Sequence, residues 1–172
     1  MSAKIVIDKT KRHAKGITTI ELIVVLSIVG ILVGLASPAF FQWQKSIIYR
    51  TTAQEIVSAL KDARGRSISK NLQHRIEFAP AGNYNQYQLQ QGNRAANSTT
   101  WTAVQENLDF KKIPYVTSLV TSNTSSNSIG FNPNGSASIA AAASAATVTV
   151  RDADGHDRYA VEVTSAGRIR IK

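Results

Sequence analysis

The feature that most constrains this chain is an uncharged, mostly apolar run near its N-terminus. Between Glu21 and Lys45 lie 23 residues without a charged side chain. At a helical rise of about 1.5 Å per residue, the run would be roughly 34 Å long, which exceeds a hydrocarbon core of about 30 Å. We therefore expect a membrane-anchoring helix, with any globular domain on its C-terminal side.

The residues before this run are polar and basic. Five lysines and arginines against Asp8 give residues 1–16 a net charge of +4, which leaves +5 of the chain's +9 for the rest. Positive residues beside an apolar run tend to stay in the cytoplasm. We therefore expect a cytoplasmic N-terminus and a single pass, with the C-terminal domain outside the cytoplasmic membrane. The remaining +5 favours polyanions only weakly.

A conventional secretory signal peptide is the competing interpretation of the run. Ser37-Pro38-Ala39 could be cut before Phe40, which would release a soluble protein. However, the run is longer than the usual apolar region of about 7–15 residues. It also carries Glu21 at its entrance, and a charge within a membrane segment is costly and usually functional. Both features favour a retained anchor.

The residues at the junction carry a family resemblance. Behind the basic leader stands the sequence Gly16-Ile17-Thr18-Thr19-Ile20-Glu21. This resembles the type IV prepilin and pseudopilin family, although that family usually has phenylalanine at the Ile17 position. The resemblance implies that prepilin peptidase removes residues 1–16, that the amine of Ile17 is methylated, and that residues 17–44 form a transmembrane and filament-core helix.

Glu21 has a physical argument of its own. A carboxylate within lipid needs a partner. After cleavage, the nearby cation is the terminal amine of Ile17, in the same chain or in a neighbour. A contact with a neighbour would set the axial stagger between subunits, so we expect Glu21 to act in assembly. The alternative is an acid that reaches the membrane surface and has no partner.

Beyond Phe41 the pattern becomes amphipathic. Apolar residues recur at three- and four-residue steps, which places them on one helix face. They are Tyr49, Ala53, Ile56, Val57, Leu60 and Ala63. We predict one helix from about Ile17 to about Leu72, in which residues 45–72 are the amphipathic spine of a globular domain.

Residues 73–172 have the composition of a β-rich domain. The candidate strands are Ile76–Phe78, Tyr84–Gln90, Trp101–Val104, Tyr115–Val120, Ser128–Phe131, Thr147–Val150, Tyr159–Val163 and a final strand from Arg168 to Lys172. Ser136–Ala146 is a tract of small residues that we predict to be a loop. Arg151–Arg158 is predicted to be the connection of a hairpin.

Three features of the chain beyond the apolar run resemble the GspH/FimT group of minor pseudopilins and minor pilins. They are the helix segment Ala53–Asn71, the Ile129-x-Phe131 pattern followed by a turn at Gly135, and the closing Gly167-Arg168-Ile169-Arg170. The resemblance implies an α+β fold, with the long helix packed on an antiparallel β-sandwich. It also implies a minor structural subunit at or near the tip of a type II secretion pseudopilus or a type IV pilus. The implied partners are other pilins or pseudopilins in a hetero-oligomeric filament and the inner-membrane assembly platform.

The chain has few residues of the types that act in catalysis or bind metals. The chain has no cysteine, and its three histidines are His13, His74 and His156. It has no HExxH, nucleophile elbow or phosphate loop. We therefore expect neither an enzyme nor a cofactor. Asp152, Asp154 and Asp157 superficially resemble a calcium loop but lack the EF-hand's bidentate glutamate. A solvated hairpin turn is the favoured interpretation, with weak calcium binding left open.

The C-terminal residues leave two alternatives open. Arg168, Arg170 and Lys172 alternate with isoleucines, so on a strand they would point to one side. They could form a solvated strand face. Alternatively, FimT-like minor pilins use a glycine-arginine-x-arginine element to capture double-stranded DNA during uptake, and residues 167–170 match it. The same four residues are also compatible with a secretion pseudopilin, so the match does not distinguish the two groups.

Overall fold

The structure is a computed structural model that describes residues 16–79, 86–104, 108–109, 115–140 and 143–172. The side chains of 35–39, 108–109 and 117 are not part of this description. The predicted leader, up to residue 15, and the first residues of the predicted strand at Tyr84 therefore lie outside the described residues. The described residues divide into two units, the first ending at Phe41 and the second covering residues 42–172.

The helix α1 covers Thr19–Lys70, which confirms the predicted helix to within two residues at each end. Thr18 caps its start, because its Oγ1 accepts the N–H of Glu21 at 3.3 Å and its carbonyl accepts that of Leu22 at 3.2 Å. Within the part of the chain that the structure describes, no helix combines the length and the apolarity needed to cross a membrane.

The larger of two antiparallel sheets has six strands. These are β1 (His74–Phe78), β2 (Gln86–Gly92), β3 (Trp101–Ala103), β4 (Leu108–Asp109), β6 (Ser128–Phe131) and β7 (Ala137–Ser138). The spatial order is β3-β2-β1-β6-β7, and β4 also pairs with β2. Alternation along β1 buries Ile76 and Phe78 and leaves Arg75 and Glu77 on the outer face.

The smaller sheet has four strands in the order β10-β9-β8-β5. They are β5 (Val116–Ser122), β8 (Ala145–Asp152), β9 (Asp157–Thr164) and β10 (Ile169–Ile171). Its register places Arg170 directly opposite Glu162 on the neighbouring strand. This pairing determines the surroundings of the C-terminal cations.

The second unit is built around one hydrophobic core. Helix α1 supplies Ala53, Ile56 and Leu60, each no more than 1% exposed, and both sheets contribute their inner faces. Fully burying a large apolar side chain contributes about 1.5–3 kcal/mol, so this stripe is the main attachment of the helix. The predicted α+β fold and the predicted buried face of the spine are confirmed.

The tract Ser136–Ala146 departs from the predicted loop. Its described residues include β7, where Ala137 pairs with Phe131, and the start of β8 at Ala145. Ala146 is completely buried, because its small side chain fits the core where the sheet continues. Small residues can thus belong to strands when tertiary packing supplies the partners, which composition alone does not reveal.

Candidate functional site

The N-terminal residues singled out by the sequence lie at the start of α1. Gly16 and Ile17 precede the helix, and Ile17 is 76% exposed. Glu21 is exposed in the first helical turn, three residues after the cap Thr18. Thr18-x-x-Glu21 also matches a capping box, a helix-start signal that the sequence analysis did not use. The structure shows the half of the box in which the backbone N–H of Glu21 donates to Thr18, and the Glu21 side chain fits the other half by residue type.

The described residues that follow Glu21 form an apolar surface on all sides of the helix. Their large apolar side chains are between 48% and 64% exposed, namely Leu22, Ile23, Val24, Val25, Leu26, Ile28, Val29, Ile31, Leu32 and Val33. Monomeric soluble proteins rarely expose apolar surface on this scale. The segment therefore requires a cover, whether of lipid or of other helices.

At the C-terminus, two of the three predicted cations share one carboxylate. Arg170 approaches Oε1 of Glu162 with Nε at 2.7 Å and Nη2 at 2.5 Å, and Nζ of Lys172 contacts Oε2. Glu162 is only 7% exposed. Hydrogen bonds from Lys172 and Arg170 lower the pKa of Glu162. Arg170 and Lys172 therefore compensate the charge of Glu162, a largely buried acid. The sequence pattern did not single out Glu162.

Arg168 differs from the other two. It precedes β10, is exposed, and has no acidic partner within the described ranges. The three cations are thus unequal, with Arg168 available at the surface and Arg170 and Lys172 engaged with Glu162. The turn at Gly167 is the sequence signal that could have revealed the pairing of Arg170 with Glu162, since a hairpin at this point places the two residues opposite each other.

Gly167 is held in a close backbone contact that we call the Gly135–Gly167 junction. Both glycines have φ of +80°, and a Cβ on Gly167 would lie 2.0 Å from the carbonyl oxygen of Gly135. That oxygen accepts a hydrogen bond from Nε of Arg64 on α1 at 3.0 Å. The junction therefore explains why glycine stands in the turn that leads into β10.

Further hydrogen bonds tie the helix and the residues just after it to the same turn. Oγ of Ser67 donates to the carbonyl of Asn132 at 3.1 Å, and Nε2 of Gln73 donates to the Asn132 side chain at 2.6 Å. Helix, turn and closing glycine are the three features that carried the GspH/FimT resemblance. The structure brings them together at one place, and their shared role is structural.

The acidic segment around Asp152 closes the β8–β9 hairpin. Asp152 is 3% exposed, and its Oδ1 accepts the N–H groups of Asp154 and His156 at 3.0 and 2.8 Å. Its Oδ2 accepts Nε of Arg158 at 2.7 Å. Although desolvation alone would raise it, hydrogen bonds from His156 and Arg158 lower the pKa of Asp152. With both oxygens engaged by protein donors, the geometry favours a turn-closing role over a cation site.

The described histidines do not form a catalytic cluster. His74 is completely buried, with Nδ1 3.0 Å from the carbonyl oxygen of Leu72, and burial lowers its pKa. His156 lies in the exposed β8–β9 turn. The two residues therefore belong to separate environments, a core and a surface loop.

Comparison with protein families gives a match over most of the second unit. The model of the family described as type II transport protein GspH matches residues 52–167. The chain belongs to the GspH family. It is a GspH/FimT-like minor pseudopilin, of the class of minor subunits built into a type II secretion pseudopilus or a type IV pilus. The family match includes the Gly135–Gly167 junction and ends before Arg168.

Solved structures of similar fold agree with GspH membership. E. coli GspH matches at a TM-score of 0.56 and 11% identity, over 74% of this chain and 89% of that one. The minor pseudopilin EpsH of the Vibrio cholerae type 2 secretion system matches at 0.51 and 11%, over 72% and 95%. The Pseudomonas aeruginosa type IV minor pilin FimU matches at 0.50 and 16%, over 72% and 87%. These identities are low, so the likenesses establish a shared fold. No curated protein sequence matches the chain.

Proposed function

We propose that this protein is a structural, non-catalytic subunit at or near the tip of a type II secretion pseudopilus. It would be held in the bacterial inner membrane before assembly, with its N-terminus in the cytoplasm and its GspH domain in the periplasm. The observation that carries the proposal is the apolar surface of residues 22–33, exposed on all sides of a helix that continues into a GspH domain. The description of the matched family as a transport protein favours secretion over DNA uptake.

The proposed assembly step transfers this apolar surface from lipid to the helices of other pseudopilins. Removing apolar area from water contributes about 25 cal/mol per Å². A surface that already contacts lipid gains nothing from this term when it moves against other helices. Specificity must therefore come from close packing and polar contacts. The carboxylate of Glu21, paired with the terminal amine of Ile17 in a neighbouring subunit, is the contact we assign to this step. The remaining partners in this proposal are prepilin peptidase and the inner-membrane assembly platform.

We expect the mature chain to begin at Ile17 with a methylated amine. Cleavage after Gly16 removes the basic residues and creates the amine that Glu21 requires. Intact-mass measurement on protein extracted from membranes checks this, with a Gly16→Leu variant as the uncleaved control. A mature chain that begins at Phe40 would contradict both processing and assembly, because the apolar segment would have been removed.

Capture of double-stranded DNA is the alternative function, and exposed Arg168 is the observation that favours it. Glu162 offsets one of the three charges of Arg168, Arg170 and Lys172. Each neutralised phosphate gives a logarithmic salt slope of about −0.9, so this stripe alone would give a slope near −2. Micromolar or weaker affinity would accompany such a slope.

Duplex titration of the full-length protein in detergent, at several salt concentrations, separates the two functions. For a secretion subunit, we expect no binding that depends on Arg168. DNA capture instead predicts salt-sensitive binding that Arg168→Gln reduces about tenfold, since a phosphate contact from arginine is charge-assisted. Arg50→Gln, on an exposed position of α1, is the matched control. Loss of binding only in the Arg168 variant would favour the alternative over secretion.

A further inference from the structure

The outer face of the larger sheet carries a polar groove that neither proposed function uses. Its volume is about 180 Å³, which leaves room for a side-chain head group together with ordered water. The residues that shape it are Arg75, Trp101, Ser98, Ser128, Gly130 and Ser138. We call it the Arg75 groove.

Arg75 is held in a fixed orientation within the groove. Its guanidinium carbon lies 4.2 Å from the centroid of the Trp101 ring, and its Nε donates to Oε1 of Gln90 at 2.7 Å. Gln90 is itself 8% exposed and donates its Nε2 to Gln88 at 2.7 Å. Stacking and this bond together orient the plane of the guanidinium, so little side-chain entropy remains to be lost on binding.

The charge of Arg75 is incompletely compensated. Its side chain is only 20% exposed, yet Oε2 of Glu77 lies 4.0 Å from Nη2, beyond hydrogen-bond distance. That same oxygen accepts Nε2 of Gln90 at 2.5 Å. Among the residues that the structure describes, Nη1 and Nη2 of Arg75 make no hydrogen bond. Burial lowers the pKa of Arg75 while Glu77 opposes that shift. A partly dehydrated guanidinium with unused N–H groups gains from an acceptor that enters the groove.

Gly130 lines the groove, and its missing side chain leaves space there. A Cβ built on Gly130 would lie 3.5 Å from Cβ of Ser138 and 3.6 Å from Cβ of Arg75. These are ordinary packing distances, so an alanine would fit the fold while taking up part of the space in the groove. Ser128 and Ser138 line the same space, and the hydroxyl of Ser128 donates to the carbonyl oxygen of Ser125 at 2.6 Å.

We propose that the Arg75 groove binds one carboxylate, presented as an acidic side chain by a partner protein. The planar guanidinium fork matches the two oxygens of a carboxylate. Glu77 stands close enough to oppose a phosphate dianion more than a single negative charge. The groove is open on the outer face of the sheet, where an acidic side chain of a docked protein can reach it. This surface adds a specific contact beyond helix packing and does not depend on it.

The test uses the full-length protein in detergent micelles and follows the indole N–H signal of Trp101 by NMR. The probes are the blocked peptide Gly-Ser-Glu-Ser-Gly, its Gly-Ser-Gln-Ser-Gly analogue and inorganic phosphate. We expect the glutamate peptide to shift the Trp101 signal saturably, at least about tenfold more tightly than either other probe. The signal of Trp43 is the internal reference and should not move.

Three variants complete the experiment. Arg75→Lys keeps the charge but loses the fork, so affinity for the glutamate peptide should fall about tenfold. Gly130→Ala should weaken binding while far-UV circular dichroism stays unchanged. Arg50→Gln removes an exposed arginine elsewhere and should change nothing. Equal binding of the glutamine peptide or of phosphate would overturn the proposal, as would an equal loss in the Arg50 and Arg75 variants.

Discussion

Gly167→Ala should destabilise the protein by about 3 kcal/mol. An alanine in the left-handed region costs roughly 1–2 kcal/mol by itself. The new Cβ would also lie 2.0 Å from the carbonyl oxygen of Gly135, a backbone atom that cannot swing away. The turn must therefore shift, and the bond from Arg64 to that oxygen shifts with it. Urea denaturation of the detergent-solubilised protein, followed by circular dichroism, measures the loss.

Gly155→Ala is the matched control for this prediction. Gly155 has φ of +82°, nearly that of Gly167, but no atom lies within 4 Å of its would-be Cβ. It should therefore show only the conformational cost, roughly 1–2 kcal/mol. The difference between the two variants isolates the contact at the Gly135–Gly167 junction. Equal losses would mean that the junction relaxes freely and contributes nothing to stability.

Glu21→Ala should leave processing largely intact but reduce filament incorporation by at least about a hundredfold. Breaking a desolvated ion pair costs about 3 kcal/mol or more, and each 1.4 kcal/mol corresponds to about a factor of ten. The assay is the amount of variant recovered in sheared filaments beside wild-type subunits, with intact mass as the check on cleavage. Glu55→Ala, on an exposed position of the same helix, should assemble normally.

Glu21→Gln separates the two roles of this residue. Glutamine can still complete a capping box with Thr18, but it has no charge to offer the amine of Ile17. If the charge contact drives assembly, the glutamine variant should fail as the alanine variant does. Normal incorporation of the glutamine variant would assign Glu21 to the helix start alone.

Local patterns predicted the helix well, and they predicted long-range pairing poorly. The apolar stripe from Tyr49 to Ala63 specified which face of α1 is buried, because helix periodicity depends on residues three or four apart. The tract Ser136–Ala146 was predicted to be a loop, and its described residues include β7 and the start of β8. Short strands of small residues form only where a neighbouring strand is already in place, so their sequence carries little signal of its own.

The C-terminal stripe illustrates the same limit at a functional surface. Alternation along residues 168–172 predicts that three cations share a side, and it treats them as equivalent. The structure makes them unequal, since Glu162 engages Arg170 and Lys172 while Arg168 remains at the surface. That distinction depends on the register between β9 and β10 and on the burial of Glu162, which are properties of the assembled sheet.

By itself, the sequence determined the apolar N-terminal segment, the acid at its entrance and the amphipathic spine, because each follows from composition or from spacing within a few residues. The α+β class came from the family resemblance that those residues and the closing motif carry. Only the tertiary structure decided that Gly135 and Gly167 touch, that Glu162 neutralises part of the C-terminal charge, and that Arg75 stacks on Trp101 beside an open groove. These contacts join residues on different strands, and their geometry is set by sheet register and core packing rather than by local preference.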